Sequence, residues 1–338
     1  MARVWAILRA LATAYRRDQS SLQTVAGNNF FIVTALLLQS AGAFIYLIIG
    51  LVMLFPLSTD PLRKIPASRL AQWPIERGEY AVLRALSPWV NPLSWIIAAV
   101  AVWTARGKVT WGLWGLFAGL FALAFVLSDV SWFSTERLWR MVPNFPGRLD
   151  QLVRKNLREM LSTLDVYCAA VLSLSTLAWR VSGRPLPAEA FLAVTVLTIL
   201  ALSSYAQCLF GLDGSGGLNR YRLLPVRGWQ LIAAKDAAFL LIAIPLTLPL
   251  APLPGISAAL VALAMGHDRS VSGYRKQMRW RFSSGSSIMF GIGQAILMAT
   301  AAAAVFFSSA LFAIPCLAAW AGSLFYYGRV IEISDFQK

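Results

Sequence analysis

The chain has 338 residues, of which 58% are hydrophobic and only 13% charged, about half the charge of a soluble domain. Its formal net charge of +15 would point to nucleic acid in a soluble protein. Here the basic residues collect in loops between apolar runs, as the positive-inside rule requires, and nucleic-acid binding is not expected.

Taken in chain order, residues 1–28 read as an amphipathic helix. Val4, Leu8, Leu11 and Tyr15 share one helical face, and Arg9 and Arg16 share another. Such a stripe suits a helix lying on a membrane surface, and Arg9 breaks the apolar run a signal peptide would need. Apolar segments then recur at 29–55, 92–105, 109–128, 163–180, 187–210, 236–252, 256–266, 286–307 and 309–327. A helix needs roughly 20 apolar residues to cross hydrocarbon, so about eight to ten membrane segments are expected. The segment 29–55 is long for one level crossing, and Gln39-Ser40-Ala41-Gly42 marks where it could bend. Nothing alternates as barrel strands do. The expected fold class is all-α: a polytopic transmembrane helical bundle.

Basic residues orient the loops. The stretches 56–91, 129–162, 211–235 and 267–285 carry most of the Lys and Arg and are expected on the cytoplasmic side. Pro143, Pro146 and Gly147 mark a boundary near residue 145, giving membrane halves 29–145 and 146–338 after the 1–28 helix. The halves carry a weak internal repeat. Gln72-Trp73-Pro74-Ile75 leads through Arg77 to Arg84; Leu224-Pro225-Val226-Arg227 leads to Lys235. Pro74 matches Pro225, Ile75 matches Val226 and Arg84 matches Lys235. Each stretch reads as a short basic helix with proline in its first turn, and Lys235 is expected to reach the headgroups.

Absences narrow the chemistry. Asp129, Asp165, Glu189 and Asp236 all fall at expected span ends, where water would reach them. Ion-coupled carriers place a carboxylate or histidine inside the bilayer, so ion coupling is not expected. His267 is the only histidine, and Cys168, Cys208 and Cys316 are scattered through apolar spans. No zinc-ligand spacing and no carboxylate–histidine cluster can be assembled from these positions. Gly107-Lys108 lacks the rest of a phosphate loop, and the glycine-rich stretch 211–217 comes after a membrane span, not a strand. An enzyme is not expected, and any ATP must be hydrolysed on another chain. Gln39, Ser203, Gln207 and Gln294 are candidates for a substrate path, with hydrogen bonding between helices as the favoured reading.

Phe210-Gly211-Leu212-Asp213, Gly217, Arg220-Tyr221-Arg222-Leu223-Leu224-Pro225-Val226 and the later Lys235 resemble the membrane subunits of bacterial ABC type-2 exporters. The resemblance implies that Arg222, Leu224, Pro225, Val226, Arg227 and Lys235 form a coupling helix that docks a separate ATP-binding subunit. By the internal match, Pro74, Arg77 and Arg84 would form a second such device. It also implies a permease with no cofactor of its own, ATP on the partner subunit, a dimer of permease chains, and a multi-pass place in the lipid of a bacterial inner (plasma) membrane. The expected span number exceeds what is usual in that class. The alternative is a non-transporting membrane scaffold or an accessory subunit of a membrane complex.

Overall fold

The computed structural model describes residues 2–17, 28–30, 62, 65, 67–70, 72–90, 149–181, 183, 187–213, 221, 225–273, 277 and 282–333. The expected spans 92–105 and 109–128 and most of 29–55 lie outside them, as do Gln39, Arg222 and Leu224. Among the described residues the secondary structure is helical, without a strand. Five of these helices are long and apolar enough to cross a membrane. The protein is a multi-pass helical membrane protein.

The chain divides into two compact units: Met1–Gln23 with Ser40–Met141, and Thr24–Gln39 with Val142–Lys338. Residue 28, read from sequence as the end of the N-terminal helix, and residues 29–30, read as the start of the first half, belong with the second unit.

The first unit contains α1 (Ala2–Arg17), the single turn α2 (Ala67–Leu70), α3 (Arg77–Leu86) and a 3-10 turn at Ser87–Val90. In α1, Val4, Leu8 and Leu11 recur at the three-to-four-residue spacing that aligns side chains on one face. That face is buried against Leu62 and Leu83, with Ile7, Trp73, Ile75 and Val82 packed around them. The apolar stripe expected to rest on lipid therefore covers α3 instead. Burying such a side chain stabilises by about 1.5–3 kcal/mol, which lets a short loop region hold a helix in place. The Arg3 guanidinium adds a hydrogen bond to the Pro74 carbonyl at 3.3 Å.

The second unit contains α4 (Asp150–Leu161), α5 (Leu164–Val181), α6 (Ala188–Ala206), α7 (Gly228–Thr247), α8 (Pro252–Ser272), α9 (Ile288–Phe307) and α10 (Ala313–Ile333). Local chemistry sets each boundary. At the end of α4, the Ser162 and Thr163 hydroxyls donate to the Glu159 and Met160 carbonyls at 2.6 and 2.7 Å. These bonds satisfy carbonyls that the ending helix leaves open. After α5, Gly183 takes a φ of 72°, the left-handed conformation that glycine adopts without strain. Near the C-terminus of α7, Pro245 lacks an N–H, so the helix stops within one turn. Side chains of α5 meet the carbonyls left there: Ser173 donates to Leu246 O at 2.6 Å and Arg180 to Pro249 O at 2.8 Å. Pro252 then opens α8 in the position where its missing N–H loses nothing.

Helix α8 is the centre of this unit and packs on α6, α7, α9 and α10. Its Gly266 lies so close to α6 that an added Cβ would stand 2.3 Å from the Ala206 carbonyl oxygen. Ser270, one turn on, donates to that same carbonyl at 2.8 Å. Close backbone approach at small residues is the usual means of helix association in lipid. By contrast, α9 and α10 turn Met289, Ile296, Leu297, Phe325 and Ile333 outward.

Candidate functional site

The element that the sequence resemblance singles out differs from its expected form. Pro225 does not sit in the first turn of a helix. It is exposed in a bend three residues upstream, Val226 and Arg227 are non-helical, and Arg227 is the extended N-cap at φ −76° and ψ 155°. The helix starts at Gly228 and runs unbroken to Thr247. No separate short helix ends at Lys235; that lysine is the eighth residue of a spanning helix. The physical reason is that Gly228–Thr247 is apolar enough to continue, and its N-terminus is already satisfied. The Gln230 amide oxygen accepts from the Arg227 N–H at 2.9 Å, and Glu332 of α10 accepts from the Gly228 N–H at 2.7 Å.

Lys235 is also misplaced by the sequence reading. It does not reach headgroups; it is 1% exposed. Its Nζ lies 2.8 Å from Asp213 Oδ2 and donates to Asn156 Oδ1 at 3.2 Å. The ammonium also stands 4.9 Å from the centre of the Phe210 ring. Lys155 of α4 reaches the other oxygen of Asp213, pairs with Glu159 at 3.3 Å and donates to the Tyr221 hydroxyl at 2.7 Å. Tyr221 in turn donates to Asp213 at 2.5 Å. Phe210, Asp213, Tyr221 and Lys235 thus meet in one cluster. Four residues of the sequence motif are joined to each other.

Electrostatics inside the cluster arise from this geometry. Burial pushes the Asp213 carboxyl up, but Lys235, Lys155 and the Tyr221 hydroxyl outweigh it and hold the group below its ordinary value. Glu159 moves the other way. Burial and the charge of Asp213 raise it, and the two lysines offset this only in part. Burial, then Asp213, also pushes the Tyr221 phenol up, so it stays a donor. Two lysines and two carboxylates balance in charge, which is what makes a buried ionic cluster tolerable.

The first-unit counterpart is more exposed. Pro74 and Arg77 are exposed and Arg84 is half-buried in the last turn of α3.

Three of the four substrate-path candidates come together. Gln207 Nε2 donates to Gln294 Oε1 at 2.6 Å, and Asn29 Nδ2 donates to both Gln294 Oε1 and Ser203 Oγ at 2.9 Å. Gln294 Nε2 donates to the Ala262 carbonyl at 2.8 Å, and Gln207 Oε1 accepts from Ser286 N at 2.7 Å. All four side chains are buried, and they tie α6, α8, α9 and the 28–30 segment to each other. The arrangement is that of interhelical hydrogen bonding. Sequence reasoning missed Asn29, which was read as the flank of a span. Asn-Asn at 28–29 before an apolar run was the available signal.

The expectation that carboxylates meet water at span ends is corrected at two positions. Asp165 is buried and accepts from Asn28 Nδ2 at 2.9 Å and from Ser283 N and Oγ at 2.9 and 2.7 Å. Asp236 is buried within α7, because that helix begins eight residues before the expected span. It faces His267 Nε2 at 3.0 Å, so a carboxylate–histidine pair exists that the sequence did not disclose. His267, assigned by sequence to a basic loop, lies inside α8, which continues to Ser272.

The chain matches no family model, no curated protein and no solved structure.

Proposed function

We propose that the protein is the membrane subunit of an ATP-driven, ABC-type exporter in a bacterial inner membrane, with the ATPase on a separate chain. The observation that carries this reading is the continuity between an exposed corner and a spanning helix. Pro225 and Arg227 are exposed, and the backbone passes from them straight into α7 without a break. A helix of that length runs about 30 Å. Lys235 fastens α7 to Asp213, and Asp213 to α4 through Lys155. A push at the corner would therefore move the helix and its neighbours as one body. Arg227 supplies a charge for acidic residues on an ATPase, and the exported solute would be a separate question from docking.

The docking element in this reading is the Pro225-Val226-Arg227 corner, not a separate helix. Replacing Pro225 by Gly and Arg227 by Glu loosens and repels the contact. Neither residue lies in lipid, so the membrane portion should still fold. The expected result is loss of a co-purifying ATP-binding subunit, or ATP hydrolysis without transport, at unchanged thermal stability. Transport by the purified chain alone, on an ion gradient and without ATP, would refute the reading.

A further inference from the structure

Asp236 and His267 take no part in the coupling reading. Asp236 is the ninth residue of α7, about 12 Å along the axis from its start, and His267 faces it from α8. Both are fully buried. Asp236 Oδ1 and Oδ2 lie 3.1 and 3.0 Å from His267 Nε2, and the Trp320 indole N–H of α10 donates to Oδ2 at 2.8 Å. Across the ring, His267 Nδ1 lies 2.8 Å from Ser323 Oγ, and that same hydroxyl lies 2.8 Å from the Trp320 carbonyl.

Counting protons separates two states that fit this geometry. The one Ser323 proton has two acceptors: where it goes to Nδ1, the ring is the neutral Nε2–H tautomer; where it goes to Trp320 O, Nδ1 carries a proton and donates to Ser323. With Nδ1 protonated, a bare Nε2 would face the carboxylate lone pair to lone pair at 3.0 Å. In that second state the contact needs a further proton, on Nε2 or on the carboxyl, and the Ser323 hydroxyl can serve either state by turning. We propose that Asp236 and His267 form an intramembrane proton-binding site, holding one exchangeable proton between carboxylate and Nε2 that joins α7 to α8 and α10.

Release has a defined structural consequence. The ring keeps one proton, and only on Nε2 does it preserve the bond to Asp236. Nδ1 then needs a donor, so Ser323 must turn its hydroxyl away from the Trp320 carbonyl. Asp236 is left fully charged, with Trp320 and His267 as its donors. Both changes fall on the joint between α7, α8 and α10. Those elements carry other charged and titratable groups. Lys235 on α7 turns to Asp213. Asp268 on α8 pairs with Arg269 at 3.4 Å and accepts from Tyr327 of α10 at 3.1 Å. The Tyr327 ring stands edge-on to His267 at 6.5 Å between centres. Cys316, Tyr326, Arg329 and Glu332 complete those of α10, and α6 contributes Glu189 in its first turn and Tyr205 in its last.

The single histidine makes the test direct. Nitrogen-15 histidine labelling of the full chain in detergent reports one imidazole, and its two nitrogen shifts give tautomer and charge. The expected spectrum has Nδ1 protonated at the acid end of a titration between about pH 5 and pH 9. It should convert in one step to the neutral Nε2–H tautomer as the pH rises. A neutral Nε2–H ring at every pH would mean a static hydrogen bond with no extra proton and would overturn the proposal. A spectrum unchanged in any other state across the range would overturn it equally. Asp236→Asn should remove the step; its survival at the same pH would show that Asp236 does not hold the proton. The wild-type spectrum decides even where that variant does not fold.

Discussion

The stretches that begin at Pro74 and Pro225 start alike and end differently. In each, a proline is followed by one residue, then an extended N-cap, then a helix three residues after the proline. The N-caps Glu76 and Arg227 have nearly the same backbone, at φ −71° and ψ 154° against φ −76° and ψ 155°. Beyond that point α3 stops at Leu86 after 10 residues, while α7 runs for 20. The cause is local. Pro88 cannot donate to the carbonyl of Arg84, and the Ser87 hydroxyl takes that carbonyl instead at 3.4 Å. After Lys235 no such break occurs for nine residues, and Phe239, Leu240, Leu241 and Ile242 continue the helix. The matched basic residue therefore has two fates: Arg84 is half-buried at a helix end, and Lys235 is buried in mid-helix. A shared opening fixes where a helix begins. The residues downstream of it decide whether its basic residue stays near solvent or becomes an internal ion.

The sharpest way to break this contrast is to remove the two matched basic groups. Lys235→Met leaves Asp213 with one buried partner fewer and is expected to destabilise by about 3 kcal/mol, the scale for stripping one member from a buried ion pair. Arg84→Met is expected to stay under about 1 kcal/mol. Thermal unfolding in detergent compares them, and equal losses would erase the distinction.

Glycines at the two helix openings give the next contrast. A Cβ on Gly228 would stand 2.2 Å from the Gly328 carbonyl oxygen, whereas one on Gly78 meets nothing within 4 Å. Gly228→Ala should cost about 1–3 kcal/mol by overpacking. Gly78→Ala should stabilise by about 0.4–1 kcal/mol through the unfolded chain. The same melts read both.

Acidification probes the cluster around Lys235. The folded value of Asp213 lies below its ordinary 3.8, so it stabilises above pH 3.8, and that stability is lost as the pH falls through the lowered value. Glu159 has the opposite sign: its value is raised above 4.5, so it subtracts stability as the pH climbs from 4.5 through the folded value. Melting profiles should lose the acid limb in Asp213→Asn and lose the decline above pH 4.5 in Glu159→Gln. The smallest effect belongs to Arg3→Ala, which removes the exposed bond to the Pro74 carbonyl and should cost about 0.5 kcal/mol.

Composition and apolar run length made the helical membrane class legible, because spanning hydrocarbon leaves few alternatives. The matched prolines were legible as helix openings to within three residues. What stayed hidden was depth. Lys235 and Asp236 looked like the edge of a span because charge is expensive in lipid, and nothing in linear sequence showed that Asp213 and His267 would supply partners. Ser203, Gln207 and Gln294 were recognised as polar positions, but the network that joins them, Ser203 and Gln294 on Asn29 and Gln207 on Gln294, depends on chain segments far apart in sequence. The stripe of α1 was legible as a stripe; whether lipid or protein would cover it was not.

Lys235 and Asp236 are consecutive, so they leave the α7 axis about 100° apart. One is engaged by Asp213 and Asn156, the other by His267 and Trp320. Together they act like a key on a shaft. A turn of α7 by one residue position would carry Asp236 toward the direction of Asp213 and strip both ions of their partners. A movement of α7 that keeps both ions partnered is therefore a translation or tilt shared with its neighbours, because rotation about the helix axis costs both sets of contacts at once.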